Sequence, residues 1–335
     1  MKMPEQELIP LSSKAIWESR LNEIPHHFGH TWEHCQSMFL STGYPTFLYS
    51  FRLDNILVLC PFCERSFGGY TDIVTPYGFN GFISNGDCEA FSSHWSSFAK
   101  EEGYVCGYIG MNPLANVELG FSADEMKHHN DIFTLDLTKP GETLIEGMDA
   151  NRRRQYKRLD QFRSSLTMDK EVLSPFFKEN YESFMKGKSA AGAYHFSGPS
   201  LQWMTEIDNV MMTGMLENDR VEAVSIFGYT SQAADFLFNI STDKGKEASF
   251  ALMWLAIEKL SSMNIPVLNL GGGVNPGDSL SMFKQRFGGE VRPLWSLQQV
   301  FDHPVFQQLC EASGADITNI AYFPPYRAVQ KKESN

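Results

Sequence analysis

The sequence predicts a mixed α/β protein with two domains and mixed sheets flanked by helices. Three observations lead there. The chain has 335 residues, which at roughly 100 to 200 residues per domain is two domains' worth. Strand, helix and strand follow one another through the second half, from Phe236–Ile240 through a helix over about Glu247–Met263 to Val267–Leu270, the order of a βαβ unit. There is no short-period repeat, low-complexity tract or long heptad pattern to suggest another architecture.

Hydrophobic residues make up 42% and charged residues 20%, a globular balance rather than a disordered one. The net charge of -12 argues against a general polyanion-binding surface and leaves room only for a local basic patch. Six cysteines are too few for a disulfide scaffold. No apolar leader or membrane-length run occurs in the sequence, so a cytoplasmic protein without a membrane span is the expectation.

The first forty residues are hard to assign, since Pro10 and Pro25 interrupt them; a helix fits Thr31–Met38. Thr46–Phe51 and Ile56–Cys60 read as strands of a hairpin turning at Asp54-Asn55. Glycines and prolines cluster from Gly68 to Gly86. A helix near Cys88–Glu102 and strands at Tyr104–Ile109 and Ile132–Leu137 follow, stopped by Pro140-Gly141. Glu142 to Phe162 reads as one helix, basic in its second half. Leu173, Phe177, Tyr181 and Phe184 form one helical stripe. Val221–Phe227 is a further strand. The helix over Glu247–Met263 is apolar around most of its circumference, as expected in a buried layer. A glycine run, a short helix Ser279–Phe287 and a strand near Val291–Trp295 complete the pattern. The break near Pro140-Gly141 sets the expected domains at 1–145 and 146–315, with 316–335 returning to the first.

Several segments have residue types that can do chemistry. Thr242–Ala248 joins a strand to the buried helix, and free N–H groups at a helix start can hold an anion. Lys244, Gly245 and Lys246 would add charge and close approach; a solvated turn is the plainer reading. Gly271-Gly272-Gly273 leaves room for a ligand or a crossing chain. Asp278 or Ser279 can cap the next helix, where Lys284, beside Phe283, could steady an oxyanion or a phosphate. Asp72–Phe82, with Pro76, Tyr77 and Gly78, suits a pocket wall or a structural loop. Arg152–Arg154, Lys157, Arg158 and Arg163 form a basic run that could meet phosphate or RNA, or be a solvated face. Cys60-Pro61-Phe62-Cys63 and the cluster His26, His27, His30 and His34 match no specific metal pattern, and no metal site is expected. His195 and Glu290 are further candidate proton acceptors. No G-x-S-x-G elbow is present.

Taken together, three blocks resemble the FemAB-type aminoacyltransferase and acyltransferase group of the GNAT-like superfamily. Asn269–Gly289, NLGGGVNPGDSLSMFKQRFGG, resembles its LGGG, DSL and FK-x-x-F pattern. DIVTPYGFNGF at Asp72–Phe82 resembles its PYG block, and DIFTLDL at Asp131–Leu137, followed by Arg153 or Arg154, resembles a third. The resemblance implies tandem GNAT-like domains and transfer of an acyl or aminoacyl group onto an amine. It implies an acyl thioester such as acyl-CoA, or aminoacyl-tRNA, as co-substrate, with no tightly bound cofactor, and a small-molecule or peptide acceptor such as a cell-envelope precursor. It also implies that Lys284 and Phe283, with Asp278, lie at the chemistry. Lys244–Lys246 and Gly271–Gly273 would serve the co-substrate, and Pro76–Gly78 with Arg153 and Arg154 the acceptor. Leu237–Ser241 stands where many relatives carry H-Y-H-L-S, and the pyrophosphate loop is incomplete. The alternative is therefore an inactive relative that binds a nucleotide-linked or peptide ligand.

Overall fold

The computed structural model describes residues 3–188, 192–275, 277–317 and 322–328. The first half contains β1 (Glu5–Pro10), α1 (Lys14–Leu21), α2 (Trp32–Thr42), β2 (Thr46–Leu53), β3 (Ile56–Phe67), β4 (Tyr70–Val74), β5 (Ile83–Ser84), α3 (Phe91–Glu101), β6 (Tyr104–Gly110) and β7 (Met126–Asp136). Three short helices follow: α4 (Gly141–Gly147), α5 (Ala150–Tyr156) and α6 (Asp160–Arg163). The second half contains β8 (Leu166–Thr167), α7 (Lys170–Gly187), α8 (Gly198–Glu206), β9 (Val210–Glu217), β10 (Arg220–Tyr229), β11 (Ala234–Ser241), α9 (Ser249–Ser262), β12 (Val267–Gly271), α10 (Ser279–Gln285), β13 (Glu290–Val300) and α11 (His303–Ser313).

The β2–β3 hairpin turns where expected, with Asp54 at φ 52. β9 and β10 turn at Asn218-Asp219, both with positive φ, the backbone a tight hairpin requires. The helix expected over Glu142–Phe162 is three helices instead. Met148 is extended (φ -71, ψ 156) with a buried side chain. Asp149 then starts a new helix, its carboxylate accepting the Arg152 N–H. Burying Met148 and capping at Asp149 outweigh the continuation that propensity alone suggests.

All thirteen strands among the described residues lie in one mixed sheet, ordered β1-β2-β3-β4-β6-β13-β7-β12-β11-β10-β9-β8, with β5 on β3. Two parallel steps interrupt an otherwise antiparallel sheet: β4 on β6, and β11 on β12. Near the centre the halves exchange strands. β13 pairs with β6 of the first half as well as with β7, and β7 pairs with β12 of the second. The sheet therefore runs without a break from the strands before residue 145 to those after it.

Helices cover both faces. α3 packs Phe91, Trp95 and Phe98 against Tyr49, Phe62 and Phe82, while α1 and α2 cover the opposite face with Trp17, Leu21 and Cys35. In the second half α9 buries Phe250, Trp254 and Ile257, and α7 and α8 bury Leu173, Phe177, Tyr181 and Leu201. Across the halves α2 meets α8: Ser37 Oγ donates to Ser200 O at 3.3 Å, and Trp203 Nε1 donates to Glu33 O at 3.0 Å. In the chain's last described segment, Tyr326 donates to Asp72 Oδ2 at 2.8 Å and Arg327 pairs with the same oxygen at 2.6 Å. Residues 318–321 and 329–335 of the expected returning tail lie outside the described residues. No helix among those described is long and apolar enough to cross a membrane.

Candidate active site

The parallel ladder between β11 and β12 has two rungs, Ala234 with Leu268 and Asp235 with Asn269. β11 continues to Ser241 while β12 ends at Gly271, so a gap opens beyond Asp235. Gly271 takes φ +70, and a Cβ there would lie 3.1 Å from Lys284 Nζ and 3.5 Å from the Phe79 ring. At Gly272 a Cβ would sit 2.4 Å from Asp131 O. Glycine is therefore required where the loop threads between β7, Phe79 and Lys284.

α10 starts directly after this loop. Asp278 is its N-cap: Oδ1 accepts Ser281 N–H at 2.7 Å, and Oδ2 accepts the N–H groups of Val274 and Asn275 at 2.8 and 3.0 Å. These backbone bonds hold its pKa below the usual carboxylate range. Asp278 thus clips the glycine loop to the helix and is a poor proton acceptor. Pro276, inside this clip, lies outside the described residues.

Lys284 points inward. It is 7% exposed; its Nζ donates to Gly272 O at 2.7 Å and lies 5.7 Å from the Phe236 ring centroid. Phe236 is the first β11 residue past the last rung, so the amine lies near the place where the β11–β12 ladder ends. Burial pulls its pKa down to about 8, with Asp278 opposing weakly. A lysine in this state gives up or shares its proton near neutral pH, and its N–H groups act where water does not screen them.

Phe283 has a different role from its neighbour. Its ring stacks under the Arg152 guanidinium at 4.2 Å, and its carbonyl accepts Arg152 Nη2 at 3.1 Å. Arg152 is buried, which lowers its pKa to about 10, and it also lies 4.9 Å from the Phe287 ring. Sequence reasoning selected Arg153 and Arg154. Arg153 instead caps α4 through Glu146 O and Met148 O, and exposed Arg154 bonds Asn151 Oδ1 at 3.1 Å. Three consecutive arginines on a helix look alike in sequence; only packing of α5 against α10 distinguishes the inward one.

The Pro76–Phe82 loop reaches this place from the first half. The Phe79 ring lies close to Gly271, 3.5 Å from where a Cβ would stand. Pro76 is buried and accepts Asn80 Nδ2 at 3.0 Å, whereas the Tyr77 ring turns to Tyr194 and Phe196, 5.3 and 5.4 Å away. Burial pushes the Tyr77 hydroxyl well up. His34 Nε2 donates to Tyr77 O at 2.7 Å and His30 Nε2 to Gly81 O at 3.0 Å. Burial lowers both imidazoles, to about 4 and about 3. These neutral histidines latch the loop. No group of three His, Cys, Asp or Glu that could hold a metal occurs among the described residues. Cys60 and Cys63 are free and buried in β3.

The Lys244–Lys246 segment is elsewhere, past the end of β11. Lys244 pairs with Glu217 at 2.9 Å and Lys246 with Asp243, both exposed. Gly245 is needed because a Cβ would meet Glu222 O at 2.1 Å. Exposed pairs of this kind are weak and exchange readily for another anion. His195 is exposed, and Glu290 pairs with Arg292 at 3.0 Å. The signal that sequence reading missed is Asp235, a buried carboxyl bonded to Asn269 Nδ2 at 2.9 Å, with its pKa raised to about 7 by burial.

No protein-family model and no curated protein sequence matches the chain. Solved structures do. FemX is similar over 91% of this chain and 99% of its own at 10% identity, with a TM-score of 0.62. A conserved protein of unknown function from Bacteroides thetaiotaomicron matches 89% of this chain and 100% of its own at 11% identity, TM-score 0.57. The C-terminal domain of a putative lysylphosphatidylglycerol synthetase from Agrobacterium fabrum matches 86% and 92% at 12% identity, TM-score 0.52. At these identities the shared property is the fold: an open mixed sheet flanked by helices.

Proposed function

We propose that the chain transfers an acyl or aminoacyl group from an activated donor to an amine, and that Lys284 stabilises the charge developed on the reacting carbonyl. The observation that carries this reading is the Lys284 amine, buried near the end of the β11–β12 ladder and held by Gly272 O. The fold shared with FemX supports it. So does the pairing of each half around one parallel step, β4–β6 and β11–β12, which fits tandem GNAT-like units.

In the proposed reaction a neutral amine attacks the donor carbonyl, a C–N bond forms, and the tetrahedral oxyanion receives an N–H from Lys284. Collapse breaks the bond to the leaving thiolate or alkoxide, which takes up a proton as the new amide nitrogen loses one. Holding the two reactants together supplies much of the rate gain. The donor is an acyl thioester such as acyl-CoA, or aminoacyl-tRNA; the acceptor is a small-molecule or peptide amine. Arg153, Arg154, Lys157 and Arg158 lie on or just after α5, which packs on the Lys284 helix, and suit an anionic acceptor or donor.

The test is a panel of acyl thioesters and aminoacyl-tRNAs offered with amine acceptors to wild type and Lys284→Met. Transfer by wild type, lost in the variant while donor binding persists, supports the reading. Binding of donors with no transfer by wild type would instead favour the inactive, ligand-binding alternative.

A further inference from the structure

A buried carboxyl at position 235 adds nothing to packing that an apolar side chain would not. Asp235 is 3% exposed and Asn269 fully buried, and they occupy the last rung of the parallel ladder. Asn269 Nδ2 donates to Asp235 Oδ1 at 2.9 Å. The same amide's oxygen accepts Gly271 N–H at 2.8 Å. This second bond falls where the β12–β7 register slips between Asn269 and Gly271, so a side chain takes a backbone donor that the bulge diverts from the regular ladder. The carbonyl of the following residue, Gly272 O, is the one that holds Lys284 Nζ at 2.7 Å.

The chain of bonds therefore runs from Asp235 to Asn269, to Gly271, and across one peptide to the lysine. An amide can turn either way. The Gly271 N–H draws the Asn269 oxygen toward it, and an acceptor at position 235 holds the NH₂ on the other side. We infer that Asp235 and Asn269 are a positioning pair that sets the bulged glycine run and, through Gly272 O, the place of Lys284 near the end of the β11–β12 ladder. The role of the pair in turnover rests on the transfer reading above; its role in placing Lys284 does not.

The pair predicts a specific pattern of rescue. Asp235→Asn keeps an acceptor oxygen for the Asn269 amide. Asn269→Asp puts two carboxyls face to face and removes the donor. The double exchange Asp235→Asn with Asn269→Asp restores one amide donor, one carboxylate acceptor and the bond to Gly271. Asn269→Ala removes both bonds without adding charge.

The experiment is competitive labelling of the full-length protein with a small amine-reactive reagent from pH 6 to 10, reading Lys284 by peptide mass, with circular dichroism to confirm folding. In wild type Lys284 should label as a buried amine with a midpoint near pH 8. Asn269→Ala and Asn269→Asp should label at least fivefold faster at pH 8. The Asp235→Asn variant and the double exchange should stay within twofold of wild type. Asn269→Ala labelling like wild type overturns the inference. So does a double exchange that labels like Asn269→Asp, or that fails to fold where Asn269→Ala folds. Where a transferred group has been identified, Asn269→Ala should lower kcat more than it raises KM, and Asp235→Asn should retain more activity than Asn269→Ala. Labelling that follows the expected pattern in a protein that transfers nothing would leave the positioning pair standing and remove the transferase reading.

Discussion

At Lys284 function and stability pull in opposite directions. Burial costs the charged amine, so its pKa falls from 10.5 to about 8. The folded protein therefore binds fewer protons than the unfolded chain between those values. The penalty is present in full below about pH 8 and is released as pH rises toward 10.5. Lys284→Met should lower turnover by ~10²–10³ if the amine stabilises an oxyanion, yet leave stability at pH 7 equal or higher. Urea unfolding beside a transfer assay checks both; a variant that is inactive because it is unfolded would refute this account. Asp235 titrates in the opposite sense. Its pKa is raised from 3.8 to about 7, so the native state holds the extra proton and stability falls as pH rises through that window, by at most about 1.4 kcal/mol per pH unit. Asp235→Asn should remove this slope. Denaturant midpoints at pH 5 and pH 7.5 should therefore converge in the variant and differ in wild type.

α10 is short and depends on its two ends. Asp278 gathers three N–H groups at its start, and Arg152 spans the faces of Phe283 and Phe287 along it. Losing an N-cap costs about 1 kcal/mol in general; here it also frees the glycine loop. Asp278→Ala should therefore lower turnover while shifting the unfolding midpoint by only a few degrees. Asp278→Asn, which keeps one of the two acceptor oxygens, should recover part of the activity. Equal losses in the two variants would mean that both oxygens are needed to join the loop to the helix. The resemblance singled out the glycine run and Lys284, and the structure brings the two together, with Lys284 buried and its Nζ on Gly272 O. It could not show that Arg152, rather than Arg153 or Arg154, supports that helix, because the distinction depends on which face of α5 meets α10. The Lys244–Lys246 segment was conspicuous because its lysines are local in sequence, yet they lie on the surface beyond the gap, paired to Glu217 and Asp243.

The whole molecule is held by elements that cross its middle. β13 lies between β6 and β7, and β7 lies between β13 and β12, so neither half has a complete sheet of its own. A fragment ending at residue 145 would keep β6 but lose the β13 that covers its edge, and β7 would lose both neighbours. Such a fragment should be protease-sensitive and aggregate, whereas the full chain should unfold in one transition seen alike by fluorescence and circular dichroism. Two separated transitions would contradict this. The last described segment adds a second tie. Asp72, 1% exposed, receives Arg65, Tyr326 and Arg327. Tyr326→Phe leaves one buried acceptor short of a donor and should cost about 1–3 kcal/mol, read as a lowered urea midpoint.

Local pattern was enough to predict the α/β class, the hairpin at Asp54-Asn55, the stripe Leu173, Phe177 and Tyr181, and the buried character of α9. Each depends on neighbours a few residues apart, where periodicity and turn chemistry act. The strand exchange between the halves, the inward turn of Arg152, the latching of the Pro76–Phe82 loop by His30 and His34, and the Asp235–Asn269 pair were decided by the tertiary structure alone. They join residues remote along the chain, and their energies come from burial and directed hydrogen bonds that exist only once the sheet has formed.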